Sequence, residues 1–178
     1  MLSTSLEVNT KIKIISGKIK NFARMQQSIV DCIDKSPDVQ HNKTNLKTKM
    51  TDWRMHKFDA TFIELADFFK SEIESYQKTK KSHTELTVTD CWGAHYTSSG
   101  KAVEHAHYPA LWSGVAYVKL LGKCQPTVFP ECNYSHSAEE GSYIMFPGWL
   151  RHYVDAGSDN RYIVAFNIRA LNISDGRH

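Results

Sequence analysis

No stretch of this 178-residue chain approaches the roughly 18 consecutive apolar residues that a membrane-spanning helix requires. Its opening, MLSTSLEVNTKIKIISGKIK, lacks the continuous apolar segment of a secretory signal. Cysteine is sparse and scattered: Cys32, Cys91, Cys124 and Cys132 form no CxxC pair, which favours reduced thiols over a disulfide framework. Cys124 and Cys132 with His136 do not have the spacing of a zinc knuckle and lack a fourth ligand. A P-loop, a GxGxxG turn, a GxSxG nucleophile elbow and an HExxH helix are all missing. Those absences exclude the commonest nucleotide-binding, hydrolase and metalloprotease chemistries. The expectation they leave is a cytoplasmic protein with no membrane association.

What is present suits one domain. Apolar residues make up 41% of the chain, enough to bury a substantial core. Net charge is +3 but uneven: residues 1–60 hold 11 Lys and Arg against 6 Asp and Glu, while residues 61–178 hold 11 against 13. The basic first third is compatible with an acidic or nucleic-acid partner, or with a solvated surface. Neither an RNA-binding motif nor an aromatic stacking platform accompanies it, so nucleic acid stays an open partner.

Along the chain, EVNTKIKIISGKIK alternates loosely toward a glycine turn and predicts a strand. ARMQQSIVDCIDKS (23–36) has helical spacing, and the proline-bearing polar stretch 36–52 reads as a loop. Asp59 is a good N-cap for a helix over 59–77, whose stripe of Phe62, Leu65, Phe69, Ile73 and Tyr76 is a packing face. From residue 84 to 168 the pattern changes to short β-rich runs separated by turn residues: ELTVTDCWGAHY, LWSGVAYVKLL, PTVFP, GSYIMFP and RYIVAFNI. Such spacing predicts an antiparallel sandwich or barrel. The chain is therefore expected to be mainly β, a jelly-roll (double-stranded β-helix) core over 84–168. Residues 1–83 would supply a strand and flanking helices, and 169–178 a tail.

Within KAVEHAHYPALW, His105 and His107 sit two apart, and in an extended strand such positions share a face. A metal needs more ligands than two, and the strongest further donor is His152 in GSYIMFPGWLRHYV, where a strand closes at Phe146-Pro147 and another opens at His152. Nine residues later Arg161 begins RYIVAFNI, sharing its face with Ile163, Ala165 and Asn167. If that face is interior, the guanidinium needs an anion, and no local carboxylate offers one. A bound dicarboxylate would serve, since guanidinium pairs with carboxylate bidentately. Otherwise Arg161 simply faces solvent.

H-x-H, a strand, a distal His and an Arg nine residues on resembles the iron(II)- and 2-oxoglutarate-dependent oxygenases. The phrases WGAHYTSSGKAVEHAHYPALWSGVAYV and GSYIMFPGWLRHYVDAGSDNRYIVAFNI look like marine bacterial and tailed-phage members, as does MTDWRMH at 50–56. The resemblance covers about 84–168 well and the N-terminal part weakly; a phage origin would place the protein in the host cytoplasm. It implies Fe(II) held by His105, His107 and His152, with 2-oxoglutarate and O2 as co-substrates. Arg161 would pair with the distal 2-oxoglutarate carboxylate. Tyr96 or Tyr117 would contact the co-substrate, unless they are barrel core, and Asn167 would contact it or orient a ligand, unless it bonds the backbone instead. The implied reaction is hydroxylation of a substrate (peptide, metabolite or nucleobase) with release of succinate and CO2.

Two positions depart from the family pattern. His107 stands where a carboxylate ligand is usual, leaving either three histidines or a water or carboxylate from elsewhere. Ile163 stands where a Ser or Thr often helps hold 2-oxoglutarate. The cupins offer a competing match, because Gly141, Pro147 and His152 fit their second motif; the glutamate expected soon after H-x-H is absent. A cupin-type three-histidine metalloenzyme and a non-catalytic jelly-roll binding protein are the alternatives.

Overall fold

The computed structural model describes residues 11–39, 44–81, 84–157 and 160–171. Among the described residues eleven strands form two sheets, with all strand pairings antiparallel. The first is built on β4 (Leu86–Tyr96), β6 (Trp112–Leu120), β9 (Ser142–Pro147) and β11 (Arg161–Ala170), in the order β9-β6-β11-β4. β1 (Ile15–Lys18) extends it beside β9, and β3 (Lys49–Met50) beside β4. The second sheet runs β2 (Leu46–Lys47), β5 (Lys101–His105), β10 (His152–Val154), β7 (Thr127–Phe129), β8 (Tyr134–His136). Apart from the β7–β8 hairpin, the core strands neighbour ones distant in sequence, as the jelly roll requires.

The larger sheet separates two cores. On its outer face lie α1 (Phe22–Lys35) and α2 (Ala60–Thr79). Ile29, Ile33, Phe62, Leu65, Phe69 and Ile73, each 0% exposed, cover Cys91, Val164 and Phe166. Phe69 and Phe166 stack with centroids 3.9 Å apart. α2 starts where Asp59 predicts: its carboxylate accepts from the amides of Thr61 (2.9 Å) and Phe62 (3.1 Å). Gly93 lets α1 approach, since a Cβ there would lie 2.4 Å from Ile33 Cγ1.

The inner face turns Trp92, Ala94, Tyr96, Tyr117, Ile163 and Ala165 toward the smaller sheet. The N-terminal strand is the short β1, and the expected helices shift by one or two residues. Three details differ from the expectation. The segment 36–52 is not all loop, because β2 and β3 pair with β5 and β4 and add an edge to each sheet. The tripeptide strand β8 goes unforeseen, its side chains lying mostly exposed. β11 runs two residues past 168, paired to Thr87 and Leu86, so the core enters the expected tail.

Candidate metal and co-substrate site

Three separate devices bring the histidines together. β5 and β10 pair with His105 directly opposite His152. A register irregularity follows between His152 and Val154, so the pair sits at the end of the ladder. His107 lies beyond the end of β5, which stops at His105; strand alternation therefore does not place it. Its amide donates to Gly148 O at 2.7 Å, while Gly148 N donates to Leu111 O at 3.0 Å. Only glycine fits at 148, because a Cβ there would lie 2.1 Å from Ala110 O. The turn 107–111 is clamped against the β9–β10 turn, and the imidazole of His107 is thereby carried to the other two.

One ring nitrogen from each histidine lies within 4.8 Å of the others. Ring centroids are 4.9 Å (105–107), 4.5 Å (105–152) and 5.1 Å (107–152) apart. His107 Nε2 and His152 Nε2 approach to 3.4 Å. His105 Nδ1 faces Val103 O at 2.6 Å, and His152 Nδ1 faces Leu150 O at 3.2 Å. Donation to those carbonyls fixes the tautomer and leaves each Nε2 lone pair free, the arrangement metal-bound histidines use. Burial lowers all three pKa values, His107 to about 3 with help from neighbouring His105, and His152 well below its usual value. The rings are neutral donors at neutral pH.

Among the described residues no Asp or Glu joins this group. Glu104, next to His105, turns outward to Arg151 Nη2 at 2.6 Å. The Cys124, Cys132 and His136 set does not assemble: His136 Nδ1 meets Tyr134 OH at 3.0 Å, and Cys132 Sγ faces Phe129 O at 3.8 Å.

Arg161 is 1% exposed, at the far end of the same inner face. Its guanidinium lies over the Tyr96 ring, 4.2 Å from the centroid, and one terminal NH2 group donates to Gln125 O at 2.9 Å. Its Nε has no partner, and among the described residues it makes no ion pair. A buried cation without an anion is costly. One cavity of about 40 Å³ is lined jointly by His105, His107, His152, Arg161, Tyr96 and Thr127. That volume suits roughly three waters, so a five-carbon dicarboxylate requires it to widen.

Tyr117 is fully buried beside the cavity, its hydroxyl 3.0 Å from Thr127 Oγ1 and its pKa pushed up to about 12, chiefly by burial. Thr127 went unnoticed in the sequence, and no local pattern marks it: PTVFP gives a strand but not its neighbours. It brings a hydroxyl to the cavity where Ile163 brings none. Asn167 is placed elsewhere. It shares the alternation of Arg161 but lines the groove outside the histidines, with Nδ2 donating to Asp90 Oδ2 at 3.2 Å.

No protein-family model and no curated protein sequence matches this chain. Solved structures do. A viral collagen prolyl hydroxylase from Paramecium Bursaria Chlorella virus-1, as its 2OG complex, superposes with a TM-score of 0.66 at 16% identity, over 88% of this chain and 96% of that one. A Pseudomonas putida prolyl-4-hydroxylase gives 0.67 at 12% identity, over 90% and 94%. HygX from Streptomyces hygroscopicus, with nickel and 2-oxoglutarate bound, gives 0.66 at 9% identity, over 93% and 86%. The chain thus shares the fold of these solved structures, a jelly roll of antiparallel strands in two sheets.

Proposed function

We propose that this protein is an Fe(II)- and 2-oxoglutarate-dependent dioxygenase, a hydroxylase, with an all-histidine metal site. The observation that carries the reading is Arg161: a buried guanidinium, paired with no carboxylate among the described residues, opening into the same cavity as three neutral, convergent imidazoles. The donor set fits the metal, because neutral imidazole suits Fe(II) and the tautomers direct the lone pairs inward. His105, His107 and His152 would hold it. Iron and 2-oxoglutarate, when bound, supply O2 activation coupled to decarboxylation of 2-oxoglutarate, the chemistry that oxygenates a C–H bond.

The chain's own residues bind and orient. Arg161 pairs with the distal carboxylate, Tyr96 holds the guanidinium plane by stacking, and Thr127, itself hydrogen-bonded to Tyr117, offers its hydroxyl to the same carboxylate. The barrel wall of Ile163, Ala165 and Val154 keeps bulk water from the ion pair. The cupin-type reading, a three-histidine metal site without 2-oxoglutarate, is favoured by one observation, the histidine at 107.

Anaerobic loading with Fe(II) followed by metal analysis is expected to give one ion per chain in the wild type and none in His152→Ala. The loaded enzyme is expected to release succinate from 2-oxoglutarate slowly without a second substrate. Metal binding without succinate formation or 2-oxoglutarate binding would favour the cupin-type reading.

A further inference from the structure

Above the histidines, the inner faces of β4 and β11 continue to a rim. Arg161 pairs with Tyr96, Ile163 with Ala94, Ala165 with Trp92, and Asn167 with Asp90. The ladder runs from the buried arginine, past the tryptophan beside the metal site, to an Asn–Asp pair. Trp92 lies 6.1 Å from the His107 ring. Just beyond, the register breaks at Thr89, a bulge whose hydroxyl donates to Asp90 Oδ2 at 2.8 Å.

Opposite the pair stands Trp53, from the segment TDWR that the resemblance left without a role. Thr51 and Trp53 are tied to β4: Thr51 N donates to Gly93 O (3.0 Å), Gly93 N to Thr51 Oγ1 (3.0 Å) and Cys91 N to Trp53 O (2.8 Å). This clamp sets Trp53 against Trp92, with centroids 4.7 Å apart. Two adjoining hollows, of about 230 and 540 Å³, meet at Trp53 and Asn167, and the first also touches His105 and His107.

The fixed groups here have one chemical sense. Asp90 is held by Thr89 and by Asn167 Nδ2, yet among the described residues neither oxygen forms an ion pair. Asn167 is 8% exposed and its Oδ1 has no partner. An unpaired buried acceptor costs free energy that a bound donor would restore. Beside these acceptors lies the Trp53 ring, a surface that attracts cations. Arg54, Arg169 and Asp52 also line the hollows, but all three are exposed at the edge on side chains that no ion pair holds. Fixed acceptors and an aromatic wall, rather than the exposed edge charges, set what the groove selects.

We propose that this groove is the primary-substrate subsite, and that it takes a protonated amine or guanidinium seated between Trp53 and the Asp90–Asn167 pair. The inference rests on the oxygenase reading for its meaning as a substrate site, but the binding can be measured without it. The probes are Nα-acetyl-arginine amide, Nα-acetyl-lysine amide, free arginine, and the norleucine and glutamate analogues of the capped compounds. Binding is followed by ligand-observed NMR on protein with and without Zn(II) and 2-oxoglutarate.

The cationic probes are expected to bind at least about tenfold more tightly than norleucine, with or without metal. Asp90→Asn, close to isosteric, is expected to weaken them about tenfold or more, while 2-oxoglutarate affinity stays unchanged. Trp53→Leu should weaken them too. Equal affinity for capped and free arginine would indicate a peptidyl source and tighter binding of free arginine a small molecule; both support the shared chemistry. Preference for the glutamate or norleucine probe, or undiminished cation binding in Asp90→Asn, would overturn the proposal. Failure of 2-oxoglutarate to bind, with cation binding intact, would instead count against the oxygenase reading alone.

Discussion

The larger sheet is packed on both faces, and the same alternating strands build the two faces to different ends. Outward, Val164, Phe166 and Ile168 of β11 meet α1 and α2 in a layer of apolar side chains, most of them fully buried. Inward, Arg161, Ile163, Ala165 and Asn167 of the same strand leave a cation without an anion and an amide oxygen without a donor. Burial on the outer face stabilises the fold. On the inner face of β11 it leaves Arg161 Nε and Asn167 Oδ1 unsatisfied, which a fold would not retain for stability alone. One residue of register separates the two environments.

Mutations should expose this contrast. The largest effect is expected on the outer face: Phe69→Ala, which removes a 0%-exposed ring stacked on Phe166, should cost about 3–5 kcal/mol in denaturant unfolding. Metal bound per folded molecule should not change. A loss from Phe69→Ala confined to metal binding would dissolve the distinction between the faces.

Acid should act in part through the inner face, alongside His56, His95 and His136, whose pKa values burial also lowers. The folded pKa values of His105, His107 and His152 are lowered, so the unfolded chain takes up protons first as pH falls. Metal-free stability should therefore decline from about pH 6.5 downward, by up to about 1.4 kcal/mol per pH unit for each histidine still neutral in the folded state. For His107 the window extends to about pH 3. Replacing His107 by Gln should flatten the slope measurably; an unchanged slope would mean the rings are not buried neutral.

A smaller effect, of opposite sign to the first, is expected for Arg161→Met. Removing an unpaired buried cation should raise the stability of the 2-oxoglutarate-free protein by about 1 kcal/mol or more. A loss of similar size would show that Tyr96 and Gln125 O already satisfy the guanidinium. Smallest of all, Arg151→Ala breaks only exposed bridges, to Glu104 and Glu131, and should cost under about 1 kcal/mol, with metal affinity retained.

The sequence made the strands legible because β4, β6, β9 and β11 alternate strongly and are bounded by turn residues, and α2 because Asp59 and its stripe agree. β2 and β3 were invisible for a physical reason: two-residue edge strands in a polar segment carry no period. The histidines were legible by spacing, though for His107 the reason was incomplete. It owes its position to the Gly148 clamp rather than to a strand. Thr127, Trp53 and Asp90 reach their places through sheet topology and a bulge, neither of which leaves a mark at those residues themselves. Asn167 was read onto the correct face but at the wrong depth, because alternation gives a side and not a distance along the strand.

The central claim is that Arg161 is unpaired because its partner is the distal carboxylate of 2-oxoglutarate. The direct measurement is an anaerobic titration of the Fe(II)-loaded protein with 2-oxoglutarate, following the metal-to-ligand charge-transfer band in the wild type, Arg161→Ala and Arg161→Lys. The wild type should develop the band. Arg161→Ala should require about ten- to a hundredfold more 2-oxoglutarate, with iron affinity unchanged, as loss of a shielded charge-assisted pair implies. Arg161→Lys should recover part of the loss, since ammonium lacks the guanidinium fork. A wild type without the band, or Arg161→Ala showing it at undiminished affinity, would contradict the account.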